Sequence, residues 1–350
     1  MRYKLLGKSG LRISELCLGT MTFGKEWGFG EGKDECRKIF EAFAKAGGNF
    51  IDTANKYTEG TSEKFVGEFI AAERERFVVA TKFTLCMNPT DPNAGGNHRK
   101  NLVQSVEASL RRLKSDYIDL LWVHAWDGMT PVEEIMRALD DHVRAGRILY
   151  VGISDAPAWR VSQANTLAEL KGWSPFVGLQ IKYNLAERTA ERDLLPMAQA
   201  LDLAVTPWGV IGGGLLSGKY LDGGGGAASA DKVDSKRENI AEQLDDHSIA
   251  AAREVVAIAK EAGKTPSQIA LNWVRQQQEK ALIIPILGAR TLPQLQDNLG
   301  CLDFELSREQ LDRLSAASPI ALGFPHDFLG SEAVRPYIFG EMEPSIDNHH

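Results

Sequence analysis

A chain of 350 residues, 43% hydrophobic and 25% charged, has room for one large α/β barrel or for two average domains. A formal net charge of -7 without a long basic run argues against nucleic acid or an anionic membrane as the main partner, and no apolar stretch approaches the roughly 20 residues that span a bilayer. The opening "MRYKLLGKSGLRISE" has no signal-peptide layout, and Cys17, Cys36, Cys86 and Cys301 show no metal spacing, so a reduced, cytoplasmic protein without a metal centre is expected.

The first predicted element is a hairpin, "YKLLGKSGLRIS", turning at Ser9-Gly10 and too short to be a domain. Apolar runs then recur at 15–20, 49–52, 77–82, 117–124, 148–154, 176–181, 203–208 and 282–287. Most are nearly continuous, as parallel strands covered on both faces require. Helical stripes alternate with them. Cys36, Ile39, Phe40 and Phe43 keep the 3.6-residue period up to Gly47-Gly48, and Phe65, Val66, Phe69 and Ile70 form the next stripe. The segment 130–146 opens with Thr130 as N-cap, Pro131 and Glu133, a capping box; Thr265, Pro266 and Gln268 repeat the device. Eight strand–helix alternations predict a single-domain (β/α)8 TIM barrel, with the N-terminal hairpin covering its bottom. The glycine-rich, then charged stretch 221–248 reads as a mobile loop over an active site rather than a linker. Residues 320–350 read as a C-terminal tail, with Phe324, Phe328 and Tyr337 as candidates to close over the barrel mouth.

In such a barrel the chemistry sits where strands end. The expected strands end in Asp52, Lys82, His124, Ser154-Asp155, Gln180, Trp208 and Gly288-Ala289-Arg290, with Tyr57 just beyond the second. A free phenol has a pKa of about 10, too high for an effective acid near neutrality. An adjacent ammonium favours the phenolate and is expected to lower that value. Asp52 would keep Lys82 charged, Lys82 would act on Tyr57, and His124 would position a carbonyl oxygen. Taken singly, each is as well explained as an ion pair, a buried histidine or a pocket wall. Their joint placement at adjacent strand ends favours catalysis.

These residues, in the blocks "LGTMTFG", "FIDTANKYTEGTSE", "VVATKF", "DYIDLLWVHAWD", "VGISD", "LQIKYNL", "TPWGVIGGGLLSGKY", "TPSQIALNWV" and "ILGARTLPQLQDN", resemble the aldo-keto reductase superfamily over nearly the whole chain. The resemblance implies a catalytic tetrad of Asp52, Tyr57, Lys82 and His124, with Tyr57 as proton donor in carbonyl reduction and as base in alcohol oxidation. It implies NADPH/NADP+ lying across the barrel top, with NADH less favoured, and no G-x-G-x-x-G fingerprint is present. By position, Ser154, Asp155 and Gln180 would hold the carboxamide and Trp208 would stack on the nicotinamide. Gly19, Thr20 and Met21 would line its ribose. Gly214, Leu215, Ser217 and Lys219 would follow the pyrophosphate, with Gly288 beside Arg290. Arg290 would meet the adenosine 2′-phosphate, with Gln294 and Asn298 near adenine. The chain departs from the family's pattern at Asp155, where asparagine is usual, at "WGVIGG" and at Lys182.

Phe23, Trp27, Phe83, Trp126 and Trp159 are the candidates for a substrate pocket, and so many aromatics point to an apolar or aromatic aldehyde, ketone or alcohol. The alternative is an NADPH-binding sensor of the potassium-channel auxiliary-subunit type with little turnover. Homo-oligomerisation stays open.

Overall fold

A computed structural model describes residues 1–221 and 245–347. Strands β1 (Tyr3–Leu5) and β2 (Arg12–Ser14) form the antiparallel hairpin. The barrel strands are β3 (Cys17–Gly19), β4 (Phe50–Asp52), β5 (Val78–Phe83), β6 (Ile118–Val123), β7 (Ile148–Ser154), β8 (Phe176–Lys182) and β9 (Ala204–Trp208), followed by β10 (Leu282–Ile283) and β11 (Ile286–Gly288). All their pairings are parallel. The last two strands are halves of one predicted strand, divided at Pro285. Leu282 and Ile283 pair with β9, whereas Ile286–Gly288 pair with β3, so this segment closes the sheet on itself. The backbone carries the closure through the break, with Ile284 N donating to Val205 O at 2.8 Å and Cys17 N to Pro285 O at 2.9 Å.

Helices α1 (Lys33–Lys45), α2 (Thr61–Ile70), α3 (Arg99–Leu113), α4 (Val132–Arg144), α5 (Ala158–Lys171) and α6 (Leu194–Ala200) each follow one of the first six barrel strands. After β9 come α7 (Asp246–Ala262) and α8 (Pro266–Arg275), and after β11 come α9 (Leu292–Leu299) and α10 (Arg308–Ala317). The strands are apolar on both faces because each face has its own core. One face packs under the helices, and the other fills the barrel with Leu6, Cys17, Phe50, Leu120, Trp122, Ala204 and Ile286 among others.

The barrel's interior is fitted around Trp122. A Cβ on Gly152 would lie 2.3 Å from Trp122 Cζ3, and one on Gly178 would lie 2.8 Å from Cη2. Below, the hairpin plugs the floor. Leu6 and Ile13 enter the interior cluster, and Lys8 N donates to Asp202 O at 2.9 Å. Gly7, at φ +54, comes so near that a Cβ would sit 2.4 Å from Val177 O.

Two local expectations are corrected. Helix α4 starts at Val132 with Pro131 as its N-cap and no side-chain cap. The Thr130 hydroxyl donates instead to Asp127 Oδ2 at 2.7 Å, and Asp127 also accepts from the amides of Asn97, Met129 and Thr130. These bonds fold Asp127–Thr130 into a turn of its own, so the helix begins beyond Thr130. The expected loop 221–248 is helical from Asp246, because Asp245 and Ser248 form a capping box; the rest of it, 222–244, lies outside the described residues. The Thr265–Gln268 box is present at α8.

Gly152→Ala forces a methyl group into the Trp122 ring and should cost about 1–3 kcal/mol of stability, whereas Gly10→Ala, with nothing within 4 Å of the added Cβ, should stay within about 0.5 kcal/mol of wild type. Denaturant midpoints of the two variants check this.

Candidate active site

Parallel register sets the centre. Asp52 ends β4 opposite Ala80, and Lys82 lies two residues further along β5, where the alternation of a strand returns its side chain to the barrel interior. Lys82 Nζ donates to Asp52 Oδ2, to Thr53 O at 2.9 Å and to Tyr57 Oη at 3.0 Å, which uses all three ammonium hydrogens. The second Asp52 oxygen accepts from Gln180 Nε2 at 3.0 Å. Thr20, expected beside the ribose, is fully buried, and its hydroxyl donates to Asp52 O at 2.9 Å.

Tyr57 opens a short 3-10 turn, Tyr57–Gly60, in which Thr58 and Glu59 take the left-handed φ values 46° and 54°. Such backbone persists where neighbours hold it, and here Thr58 Oγ1 donates to Phe23 O at 2.6 Å. His124 follows β6 and meets the phenol edge-on, with ring centroids 5.8 Å apart. Its buried Nδ1 has no partner among the described residues. Trp27 also meets the phenol edge-on, 6.2 Å from the Tyr57 ring, with its indole N–H on Glu59.

Burial lowers the Lys82 pKa, but the charges and hydrogen bonds of Asp52 first and Tyr57 second together more than reverse this, so the ammonium persists. Burial, reinforced by Lys82, pushes His124 well below the usual histidine value, and the ring is neutral. For Tyr57 the net direction is up: burial outweighs the downward pull of Lys82, and Asp52 and Asp155 add to the rise. The expected lowering is thereby corrected. Desolvation of the phenolate exceeds the help of one cation that is already shared with Asp52.

A cleft of about 590 Å³ opens above these groups. At the β4–β6 side it is lined by Trp27, Asp52, Tyr57, Leu85 and His124; Ser154, Asp155, Gln180 and Trp208 come next. Trp208 Nε1 donates to Asp155 Oδ1 at 3.3 Å. Beyond lie Gly213, Gly214, Ser217 and Lys219, then Gly288, Arg290, Gln294 and Asn298; Gly19 and Met21 also border the cleft. Gly213 and Gly214 have positive φ, and a Cβ on Gly214 would lie 2.7 Å from Lys219 Cε. Bare backbone, two cations at Lys219 and Arg290, an indole face and a set of amide and carboxyl groups fit a dinucleotide phosphate.

Several candidates lie elsewhere. Phe83 comes after inward-facing Lys82, so it points outward into the helix-side core, and Phe23 packs edge-on against Phe69 at 6.2 Å. Both are fully buried and neither lines the cleft. Trp126 packs against the outer core, Trp159 is 59% exposed, and both are covered by Arg160; neither lines the cleft. Leu215 is buried beneath its turn. The tail docks by Arg192 Nε on Ala321 O at 3.0 Å and by His326 against Asp193. Phe324, Phe328 and Tyr337 are exposed and do not border the cleft. Reading strand ends missed Leu85, Val210, Ile211 and Thr22, which lie past the ends in loops without periodicity, and Ser267, which opens helix α8 far from any strand end. Thr22 ties the first loop to the last by donating to Ala289 O at 2.8 Å.

Comparison with known proteins gives one consistent result. The profile described as the aldo/keto reductase family matches residues 15–319. A norsolorinic acid reductase of Emericella nidulans is 38% identical over 340 residues, which cover 94% of this chain and 84% of that protein. An aryl-alcohol dehydrogenase of Pestalotiopsis microspora is 37% identical over 342 residues, 94% of this chain and 85% of its own. An aryl-alcohol dehydrogenase (NADP+) of Phanerodontia chrysosporium is 36% identical over 341 residues, 92% of this chain and 86% of its own.

Neutral, buried His124 makes stability depend on pH. Its folded pKa lies below the unfolded value of 6.5, so the unfolded chain binds the extra proton and stability falls as pH drops below that value. His124→Gln should remove up to about 1.4 kcal/mol per pH unit from that slope. His142, also lowered by burial, leaves its own share. Urea unfolding at a series of mildly acidic pH values measures the difference.

Proposed function

The chain belongs to the aldo/keto reductase family, and from that premise we propose an NADPH-dependent enzyme that interconverts apolar, chiefly aromatic, aldehydes or ketones and their alcohols with Tyr57 as acid and base. That this is a carbonyl-reducing oxidoreductase follows from the family and its reductase and dehydrogenase relatives. The tyrosine mechanism, the cofactor and the substrate class are the further reading.

The observation that carries it is the hydrogen bond from fully buried Lys82 to Tyr57 Oη. The ammonium donates to the phenol oxygen, so the phenol hydrogen is left to point at a substrate oxygen in the cleft. The raised pKa keeps that hydrogen in place until it is needed. As it leaves, the phenolate forms against a charge already fixed in place by Asp52, so that charge has no reorganising to do. Neutral His124 offers an N–H to the same oxygen and orients the carbonyl.

When bound, the cofactor supplies a hydride to the carbonyl carbon. Ser154, Asp155, Gln180 and Trp208 would hold its nicotinamide end, Gly213–Lys219 the diphosphate, and Arg290, Gln294 and Asn298 the adenosine end. Trp27, set edge-on to Tyr57, supplies an aromatic wall beside the reacting carbon. The aryl-alcohol dehydrogenase relatives support an aromatic substrate, and the NADP+ in the name of one of them supports Arg290 as a phosphate partner. Four free cysteines suit a reducing compartment such as the cytoplasm. No specific observation favours the sensor alternative, since the relatives compared carry enzyme names.

Mixing the protein with NADPH and a panel of aromatic aldehydes should consume dihydronicotinamide absorbance; no consumption, and none of the reverse reaction with aryl alcohols, would refute the reading. Tyr57→Phe should fold and bind cofactor but lose about two orders of magnitude or more in turnover. Arg290→Ala should raise the KM for NADPH far more than for NADH, and equal effects on both would remove the phosphate assignment.

A further inference from the structure

If the cleft holds a nicotinamide as proposed, the charge at Asp155 has a consequence for the redox balance of the site. Two carboxylates border the cleft near the tetrad, Asp52 and Asp155. Asp52 is spent, with one oxygen on Lys82 and the other on Gln180. Asp155 is not. Its Oδ1 accepts from the neutral indole of Trp208 at 3.3 Å, and among the described residues it forms no ion pair. Lys82, the one buried ammonium of the tetrad, acts on Asp155 only through space, and Lys182 lies 5.7 Å from the centre of the Trp208 ring, with no ion pair to Asp155. The net direction for the Asp155 carboxyl is up, because burial outweighs the downward pull of Trp208, Lys82 and Ser154. Its charge is felt at the reacting group, since it is one of the causes that raise Tyr57. Beside the tetrad the cleft thus carries a carboxylate whose charge no contacting cation balances among the described residues, tethered to the indole that would face the cofactor ring.

The two forms of a nicotinamide differ in one respect that such a carboxylate can read. The oxidised ring carries a formal positive charge and the reduced ring none. Hydride transfer to a carbonyl moves two electrons and one hydrogen nucleus from the ring to carbon, Tyr57 gives its proton to oxygen, and a cation is left where a neutral ring stood. We propose that Asp155 sets the redox preference of the bound cofactor: its carboxylate holds the oxidised ring more tightly than the reduced one and so draws the hydride toward the carbonyl. The asparagine usual at this position supplies a similar hydrogen-bonding outline without the charge.

The backbone makes the test clean. Asp155 lies at φ +45, in the left-handed region that asparagine and aspartate both tolerate, and an asparagine oxygen still accepts from Trp208. Asp155→Asn therefore changes charge with little change of shape. Calorimetric titration with NADPH and with NADP+ at about pH 8, well above the carboxylate range, gives both dissociation constants. The variant should weaken NADP+ relative to NADPH by about tenfold, equivalent to about 1.4 kcal/mol, and raise the potential of the bound couple by about 30 mV for two electrons. Asp155→Ser, also neutral, should move the ratio the same way and replaces the first variant if that one folds poorly. A ratio within twofold of wild type in the folded variants, with both cofactors still bound, overturns the proposal and leaves the reductase reading standing. A wild-type protein that binds neither cofactor overturns both.

Discussion

Lys82 places a full positive charge where no solvent reaches it, a position that costs several kcal/mol unless the charge is paired and its hydrogens are all engaged. Asp52 provides the pair, Thr53 O a second acceptor, and the third hydrogen goes to Tyr57. Asp52 is itself fixed by Gln180 from the far side of the barrel, and Thr20 holds its backbone carbonyl. The phenol is therefore positioned by the same bonds that make the buried ammonium tolerable. Removing Asp52 or Lys82 leaves the other as an unpaired charge in a dry interior, so the geometry of the site and local stability share one set of contacts.

The barrel makes this possible by bringing strand ends into one ring while leaving the loops free to differ. Its own stability is settled lower down, where the Trp122 ring lies on two glycines and the hairpin closes the floor. Chemistry and packing are separated along the strands. Phe50 and Asp52 illustrate this on one strand, as do Ala80 and Lys82 on the next: the lower residue fills the interior and the upper one lines the site. In the upper ring Trp208 joins the two levels, packing on the interior cluster while its indole N–H reaches Asp155 and Lys182 lies 5.7 Å from its ring centre.

Strand positions and the polar residues that end them were legible because apolar runs and their interruptions are local signals. The tetrad could be assembled from the sequence for that reason. What lay beyond reach was set by orientation and desolvation. Phe83 and Phe23 are aromatic and adjacent to site residues, yet the two-residue alternation of β5 sends Phe83 outward, and Phe23 turns into the core beside Phe69. Alternation was available as a signal for Phe83 and was outweighed by residue type. Thr130 has the right neighbours for a cap, but Asp127 three residues earlier competes for it. The direction of the Tyr57 shift depends on how dry the site is, which spacing along a chain does not encode.

The split strand at Pro285 also has a bearing on how the molecule is assembled. It joins Cys17, near the beginning of the chain, to Ile286, near its end, through only three paired residues on one side and two on the other. A seam of that kind cannot form until almost all of the polypeptide has left the ribosome, and the loop it closes is nearly the longest available. Until then β3 is an open sheet edge able to pair with other strands. Asp52, Tyr57, Lys82 and His124 all belong to the first half of the chain, so the proposed proton-transfer cluster can be laid down early; Lys219 and Arg290, the cations proposed to meet the cofactor's phosphates, arrive later. A nascent chain of this protein is therefore most exposed to aggregation in the interval between those two events.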